Sequence, residues 1–247
     1  MNIKDKILVH HRAINTIQSF ETFLEKTNKY SNLKQAAEGD LCWTTIDGEP
    51  LIYIHHPDLL GKSLEDHQVK KLYKHNKLLT LEKIFQINSQ CNFVLELKNG
   101  TGNQTKALKK IIEIINKYAA KNILIDAFNL QQLNDLKTLD KTIKTSLHTK
   151  FLFNSYVLET TYQSPFINIH NCSNIPNIDY ITLSFASSHI NLLNLDIDNA
   201  LKNFYSCNKK INFGAIKTVK MLDKASKSNV NYLYMRSNKV LNYLDLN

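Results

Sequence analysis

Glu38-Gly39-Asp40 sets two carboxylates two residues apart, and His55-His56 follows after the turn pair Asp47-Gly48. In an extended strand residues i and i+2 share a face, so Glu38 and Asp40 can reach one point in space. Two carboxylates that close repel each other unless a cation lies between them. Oxygen ligands on one face suit a hard divalent ion, Mg²⁺ or Ca²⁺. Asp-Gly is a strong hairpin signal, and Pro50-Leu51-Ile52-Tyr53-Ile54 is apolar and partly β-branched, the composition of a strand. That strand returns His55 to the carboxylates. Taken alone, the stretch reads equally well as a surface hairpin with ordinary edge charges.

The elements that must position these groups alternate along the chain. Ile7-Leu8-Val9 is a short apolar strand running into His10-His11-Arg12, and the helical spacing of Ile14, Ile17, Phe20, Phe23 and Leu24 predicts a helix over 14–30. Helices are expected over 64–75 and over 80–87, the latter capped by Thr80. Strands at 92–98, 122–128 and 143–148 are separated by helices at 106–118 and 130–139. Residues 151–178 show no clear period. Strands at 180–185, 211–218 and 230–235 then alternate with helices at 198–207, 219–228 and 239–244. About eight such alternations imply parallel strands with crossover helices, and at this length a (β/α)₈ barrel. A doubly wound open sheet is the rival, but His10-His11-Arg12-Ala13-Ile14 lacks the glycines its ligand-binding first turn usually carries. Barrel active sites lie at the C-terminal strand ends. His11-Arg12, Glu38 with Asp40, and Glu96 with Lys98 all fall there.

Composition narrows the class. The 247 residues are 43% hydrophobic and 21% charged, with only 6 Gly and 4 Pro and no Ser/Gly/Pro-rich linker, so one domain over 1–247 is expected, with a hairpin and insert region at about 44–78. No apolar run approaches the ~20 residues of a membrane span. No signal peptide is evident, and the 4 scattered cysteines form no CxxC pair, which fits a reducing, cytoplasmic setting. The net charge of +9 suggests an anionic partner. The lysines are spread evenly and no nucleic-acid motif is present, so a small phosphate ester is expected rather than a nucleic acid.

These residues, in this order, resemble the glycerophosphodiester phosphodiesterases, which are (β/α)₈ barrels. The family's His-Arg, Glu-x-Asp and closing His are similar to His11-Arg12, Glu38-Gly39-Asp40 and His55. Thr45-Ile46-Asp47-Gly48 resembles its Thr-x-Asp-Gly turn, Leu79-Thr80-Leu81-Glu82 its PTLEE helix start, and Leu95-Glu96-Leu97-Lys98 its IELK strand. Asn15-Thr16 with Phe20 resembles the tail of its ENTxxAF segment. The likeness is concentrated in 7–98. The chain departs from the pattern at Ala13 and Ile14, where Gly and Glu are usual, at His56, where Asp is usual, and at Met235-Arg236, where Thr-Asp is usual. The family's later Trp is absent. One or two extra residues between Asp40 and His55 imply a bulged or lengthened hairpin.

The resemblance implies metal-dependent hydrolysis of a glycerophosphodiester to glycerol 3-phosphate and an alcohol, a step of lipid metabolism. Glu38, Asp40 and Glu96 would hold one Mg²⁺ or Ca²⁺, His11 and His55 would be the acid/base pair, and Arg12 and Lys98 would bind phosphate oxygens. His56 is the substitute for His55, because strand neighbours face opposite ways. Four histidines could instead make a transition-metal site, and Glu96 could merely pair with Lys98. His148 reads as a satisfied barrel residue. Two other functions remain: a silent relative that only binds a phosphate ligand, and a phospholipase-D-like barrel acting on a lipid phosphodiester, which is usually secreted and disulfide-bonded.

Overall fold

Alternation with period 2 decides which strand residues enter the barrel and which meet the helices. The computed structural model describes residues 3–29, 31–56, 64–152, 155–157, 175, 177–184, 209–236 and 240. The strands are β1 (Ile7–His10), β2 (Lys34–Ile46), β3 (Glu49–Ile54), β4 (Asn92–Leu97), β5 (Ile123–Ala127), β6 (Lys144–Leu152), β7 (Ser155–Val157), β8 (Tyr180–Ser184), β9 (Lys210–Ile216) and β10 (Tyr232–Met235). Among the described residues, eight of them are parallel neighbours in the order β1-β10-β9-β8-β6-β5-β4-β2, and β1 also pairs with β2, so the sheet closes. This is the expected (β/α)₈ barrel. β3 and β7 are antiparallel additions to β2 and β6.

The inward set is Ala36, Glu38 and Asp40 on β2, Val94 and Glu96 on β4, and Leu124 and Asp126 on β5. Val9, Ala36, Val94, Leu124, Tyr180 and Tyr232 form an apolar layer. One step further along each strand the inward residues turn polar, and Glu38, Asp40, Glu96, Asp126 and Thr182 are all buried. The alternate residues Phe93, Leu95, Ile123, Ile125, Leu147, Ile181 and Phe213 face outward into the main core beneath the helices. Burying such side chains contributes roughly 1.5–3 kcal/mol each and holds helix to barrel.

The described helices are α1 (Ile17–Lys29), α2 (Asp66–Lys74), α3 (Leu81–Ile87), α4 (Gln104–Lys117), α5 (Leu130–Leu139) and α6 (Val219–Lys227). α1 starts later than its apolar spacing predicts, because Thr16 and Ser19 cap each other's backbone N–H at 3.0 and 2.9 Å. Thr80, Asn103, Asn129 and Thr218 cap α3 to α6, each side chain accepting from first-turn backbone N–H. The strand expected to end at His148 runs on to Leu152, and the helix expected over 198–207 lies outside the described residues. So does that over 239–244, apart from residue 240.

The β2–β3 hairpin lengthens without bulging. Pairing is unbroken from Leu41↔Ile54 to Ile46↔Glu49, and the turn between them has φ of 51° at Asp47 and 85° at Gly48. The extra residues are taken up by strand length, since β2 has 13 residues. Thr44 and Thr101 each donate a hydroxyl to Asp66 Oδ1 at 2.7 Å, tying the hairpin and the loop after β4 to the start of α2.

Candidate active site

Parallel register lines up the acidic residues. Asp40 is the Cα partner of Glu96, and Glu96 that of Asp126, across β2, β4 and β5. Glu38 lies two residues before Asp40 on the same face. Oxygens of Glu38, Asp40 and Glu96 come within 4.8 Å of one another, and all three side chains are buried. The predicted carboxylates therefore meet at one point at the C-terminal end of the barrel.

Their electrostatics are unbalanced. Burial, then the charges of Asp40 and Glu96, push the Glu38 carboxyl well above its usual range. Glu96 is also raised, by burial, with Lys98 and His148 opposing. Lys98 contacts Glu96 and lies 3.0 Å from Asp40 Oδ1. Burial works against its charge, but the two carboxylates outweigh this and hold its ammonium above the usual range. One lysine does not neutralise three carboxylates. The donor set, all oxygen and all buried, fits one hard divalent ion.

β1 delivers the other groups. It ends at His10, and the chain then turns through Arg12, whose φ is 60°. A non-glycine residue in the left-handed region is uncommon and clusters at functional sites. The turn points the Arg12 N–H at Glu38 Oε2, with which it hydrogen-bonds. It also brings His11 into a cavity of about 280 Å³, shared with Arg12, the three carboxylates, Lys98 and His56. Burial first, then Arg12, Arg236, His56 and Lys98, lower the His11 ring to about 3. His11 is neutral near pH 7.

The second histidine differs from the sequence expectation. His56, not His55, lines the cavity. Its Nε2 contacts Arg12 Nη2 and lies 3.7 Å from Asp40 Oδ2. The His55 backbone is occupied by pairing: its N–H donates to Asp40 O at 3.0 Å, and its carbonyl accepts from Cys42 Sγ. β3 ends at Ile54, so the choice between the two rings depends on the chain's turn after the strand, which period-2 counting does not reach.

The far wall brings in residues from four other strands and loops. Phe128, His148, Thr182 and Tyr234 line it. His148 Nδ1 is 3.0 Å from Asp126 Oδ2, and the Tyr234 hydroxyl donates to the same oxygen at 3.0 Å. The His148 ring stacks on Phe128 with centroids 4.3 Å apart. Burial disfavours its charged form, yet Asp126 prevails and holds the ring above the usual imidazole range. So His148 is a paired barrel residue, as expected, and also part of the cavity. Asp126 carried a signal that went unused: it is the single charge in the apolar strand Ile123–Ala127.

No protein-family profile and no curated protein matches the chain. Solved structures do. A glycerophosphodiester phosphodiesterase from Parabacteroides distasonis superposes with a TM-score of 0.65 at 14% identity, over 98% of this chain and 98% of that one. A phosphodiesterase from Oleispira antarctica, in complex with the product sn-glycerol-3-phosphate, gives a TM-score of 0.65 at 13% identity over 97% and 96%. The tryptophan synthase complex of Pyrococcus furiosus gives 0.56 at 10% identity over 100% and 92%. The shared feature is the barrel, which hosts unrelated chemistries.

Proposed function

We propose that the protein is a metal-dependent phosphoric diester hydrolase that converts a glycerophosphodiester to glycerol 3-phosphate and an alcohol. The observation that carries this is the convergence of three buried carboxylates, two histidines, an arginine and a lysine on one cavity at the C-terminal end of the barrel. The Parabacteroides and Oleispira structures, named for this activity and for its product, support the same reading.

Glu38, Asp40 and Glu96 would hold one Mg²⁺ or Ca²⁺. Such an ion supplies Lewis-acid neutralisation of the phosphate when bound. Arg12 and Lys98 present N–H donors to the remaining phosphate oxygens. His11, neutral near pH 7, accepts the proton of the attacking oxygen. His56 gives its own ring proton to the departing alkoxide and regains one from solvent, to which His11 releases the proton it accepted. Arg12 touches His56 Nε2. A phosphate oxygen competes for that guanidinium, so substrate binding releases the ring for its transfer. Phe128 and His148 form the wall against which the glycerol part is held. The scattered cysteines, which form no CxxC pair, favour a cytoplasmic setting. Among the described residues no helix is long and apolar enough to cross a membrane.

The test is release of glycerol 3-phosphate from glycerophosphocholine, glycerophosphoethanolamine and glycerophosphoglycerol, with Mg²⁺, with Ca²⁺ and with EDTA, beside Glu38→Ala. Turnover that needs an ion and is lost in the mutant is expected. Turnover unaffected by EDTA or by Glu38→Ala overturns the metal site.

A further inference from the structure

A second cleft opens behind the first. It has a volume of about 190 Å³ and shares His11, Arg12 and Arg236 with the catalytic cavity, so those three residues stand between the two. Its other wall is the face of α1 that carries Ser19, Thr22, Phe23 and Lys26. Among the described residues its lining holds Arg12, Lys26 and Arg236 and no carboxylate. Nor do the described residues place any carboxylate within ion-pair distance of Lys26 or Arg236.

Charge counting sharpens the point. The phosphodiester brings one negative charge. Arg12, Lys98 and a divalent ion face the three carboxylates and that one charge, which already balances. Arg236 and Lys26 are surplus to it. Arg236 acts on the site regardless, since it is among the charges that lower His11. A cationic head group such as choline gains nothing here. Quaternary ammonium recognition uses cages of Trp, Tyr and Phe, and of these the described lining offers Phe23, packed edge-on against His10 with centroids 5.0 Å apart.

We propose that this cleft is the leaving-group subsite, and that it selects glycerophosphodiesters whose alcohol carries a second anionic group, a phosphate monoester or a carboxylate, held by Lys26 and Arg236. The proposal rests on the phosphodiesterase reading above. The alcohol departs on the side of His56 and Arg12, which touch each other, and extends past Arg12 and Arg236, which line both cavities, onto α1. The cleft's volume admits a small acidic group with a few carbons and not an acyl chain. The overall charge of +9 draws anionic substrates toward the site.

The matched probes are glycerophosphoglycerol and its terminal monophosphate ester, which differ by one phosphate. The expected kcat/KM is at least about tenfold higher for the phosphorylated ester, the worth of a charge-assisted contact. Lys26→Gln, a change on a half-exposed helix face, should bring that preference down severalfold by lowering kcat/KM for the phosphorylated ester more than for glycerophosphoglycerol. Raising salt should shrink the preference in the native protein. Equal kcat/KM for both esters, or a preference untouched by Lys26→Gln and by Arg236→Gln, overturns the subsite and leaves the hydrolase standing. If neither ester is turned over with Mg²⁺ or Ca²⁺, the hydrolase reading fails, and calorimetry with the same two esters decides the subsite. Tighter binding of the phosphorylated ester, weakened by Lys26→Gln, sustains it, and equal binding overturns it.

Discussion

Lys98 Nζ lies 3.0 Å from Asp40 Oδ1, inside the cluster that would hold the ion. The lysine contacts Glu96 as well, so one ammonium serves two of the three candidate ligands. It lowers the cost of burying these carboxylates, but it neither neutralises all three nor pairs directly with Glu38. A divalent ion bound there would make up the missing charge and would leave Lys98 to face phosphate.

Stability should report this balance. Mg²⁺ or Ca²⁺ at about 100 times its dissociation constant should stabilise the native protein by about 2.7 kcal/mol in thermal unfolding. Glu38→Gln removes the most strained of the three acids. It should melt higher than the native protein in EDTA and respond weakly to either ion. A Glu38→Gln protein that melts lower in EDTA, or that responds to ions as the native protein does, contradicts the cluster's assignment.

The two histidines after β3 make a paired test. His56→Ala should reduce kcat by about 10²–10⁴ with ion affinity nearly kept, because His56 is assigned proton transfer and no ligand role. His55→Ala should cost far less turnover, its ring not lining the cavity. The reverse order of effects would return the acid/base role to His55. The sequence marks a histidine at this place without resolving which one. Strand alternation separates the two faces only while the strand lasts, and β3 stops at Ile54.

The same boundary explains what could be read in the chain and what could not. Glu38, Asp40 and Glu96 lie within strands, where period 2 and parallel register translate spacing directly into position. Their meeting point was therefore visible from residue types and order. The barrel followed from the alternation of apolar runs. His148 was visible as a strand residue, but its partner Asp126 is 22 positions earlier, on the neighbouring strand β5, and only the sheet brings them together. Lys26 on α1 and Arg236 just after β10 line one cleft, a tertiary relation with no local pattern. The backbone at Arg12 is likewise a product of the turn after β1, where the sequence offers no glycine.

His11 gives a pH signature of folding. An unfolded histidine protonates near 6.5, whereas folded His11 is lowered to about 3. Between those values the unfolded chain binds the additional proton, so stability falls as pH drops from 6.5 toward 3, by up to about 1.4 kcal/mol per pH unit. Above 6.5 the group contributes no slope. His11→Gln should flatten the acid limb of a melting-temperature profile recorded in EDTA, with little change at pH 7.5. Native and mutant profiles that run parallel from pH 4 to 7.5 would show that His11 protonates normally in the fold.

Gly39 separates the candidate ligands Glu38 and Asp40 for a steric reason. A Cβ built on it would lie 2.9 Å from Ile14 Cβ and 3.2 Å from the Ile14 carbonyl oxygen. Ile14 is itself fully buried, and its N–H donates to Glu38 O at 3.0 Å, so the turn after β1 is pinned against β2 at this point. Gly39→Ala must push that turn away, and Arg12 and His11 ride on it. The overpacking cost expected is about 1–3 kcal/mol in unfolding free energy. The displacement should also weaken turnover more than ion binding, because Glu38 and Asp40 stay on their strand while His11 and Arg12 move. A Gly39→Ala protein with native stability and native kcat would mean that the β1 turn yields freely, and that its packing on Gly39 does not set the position of His11.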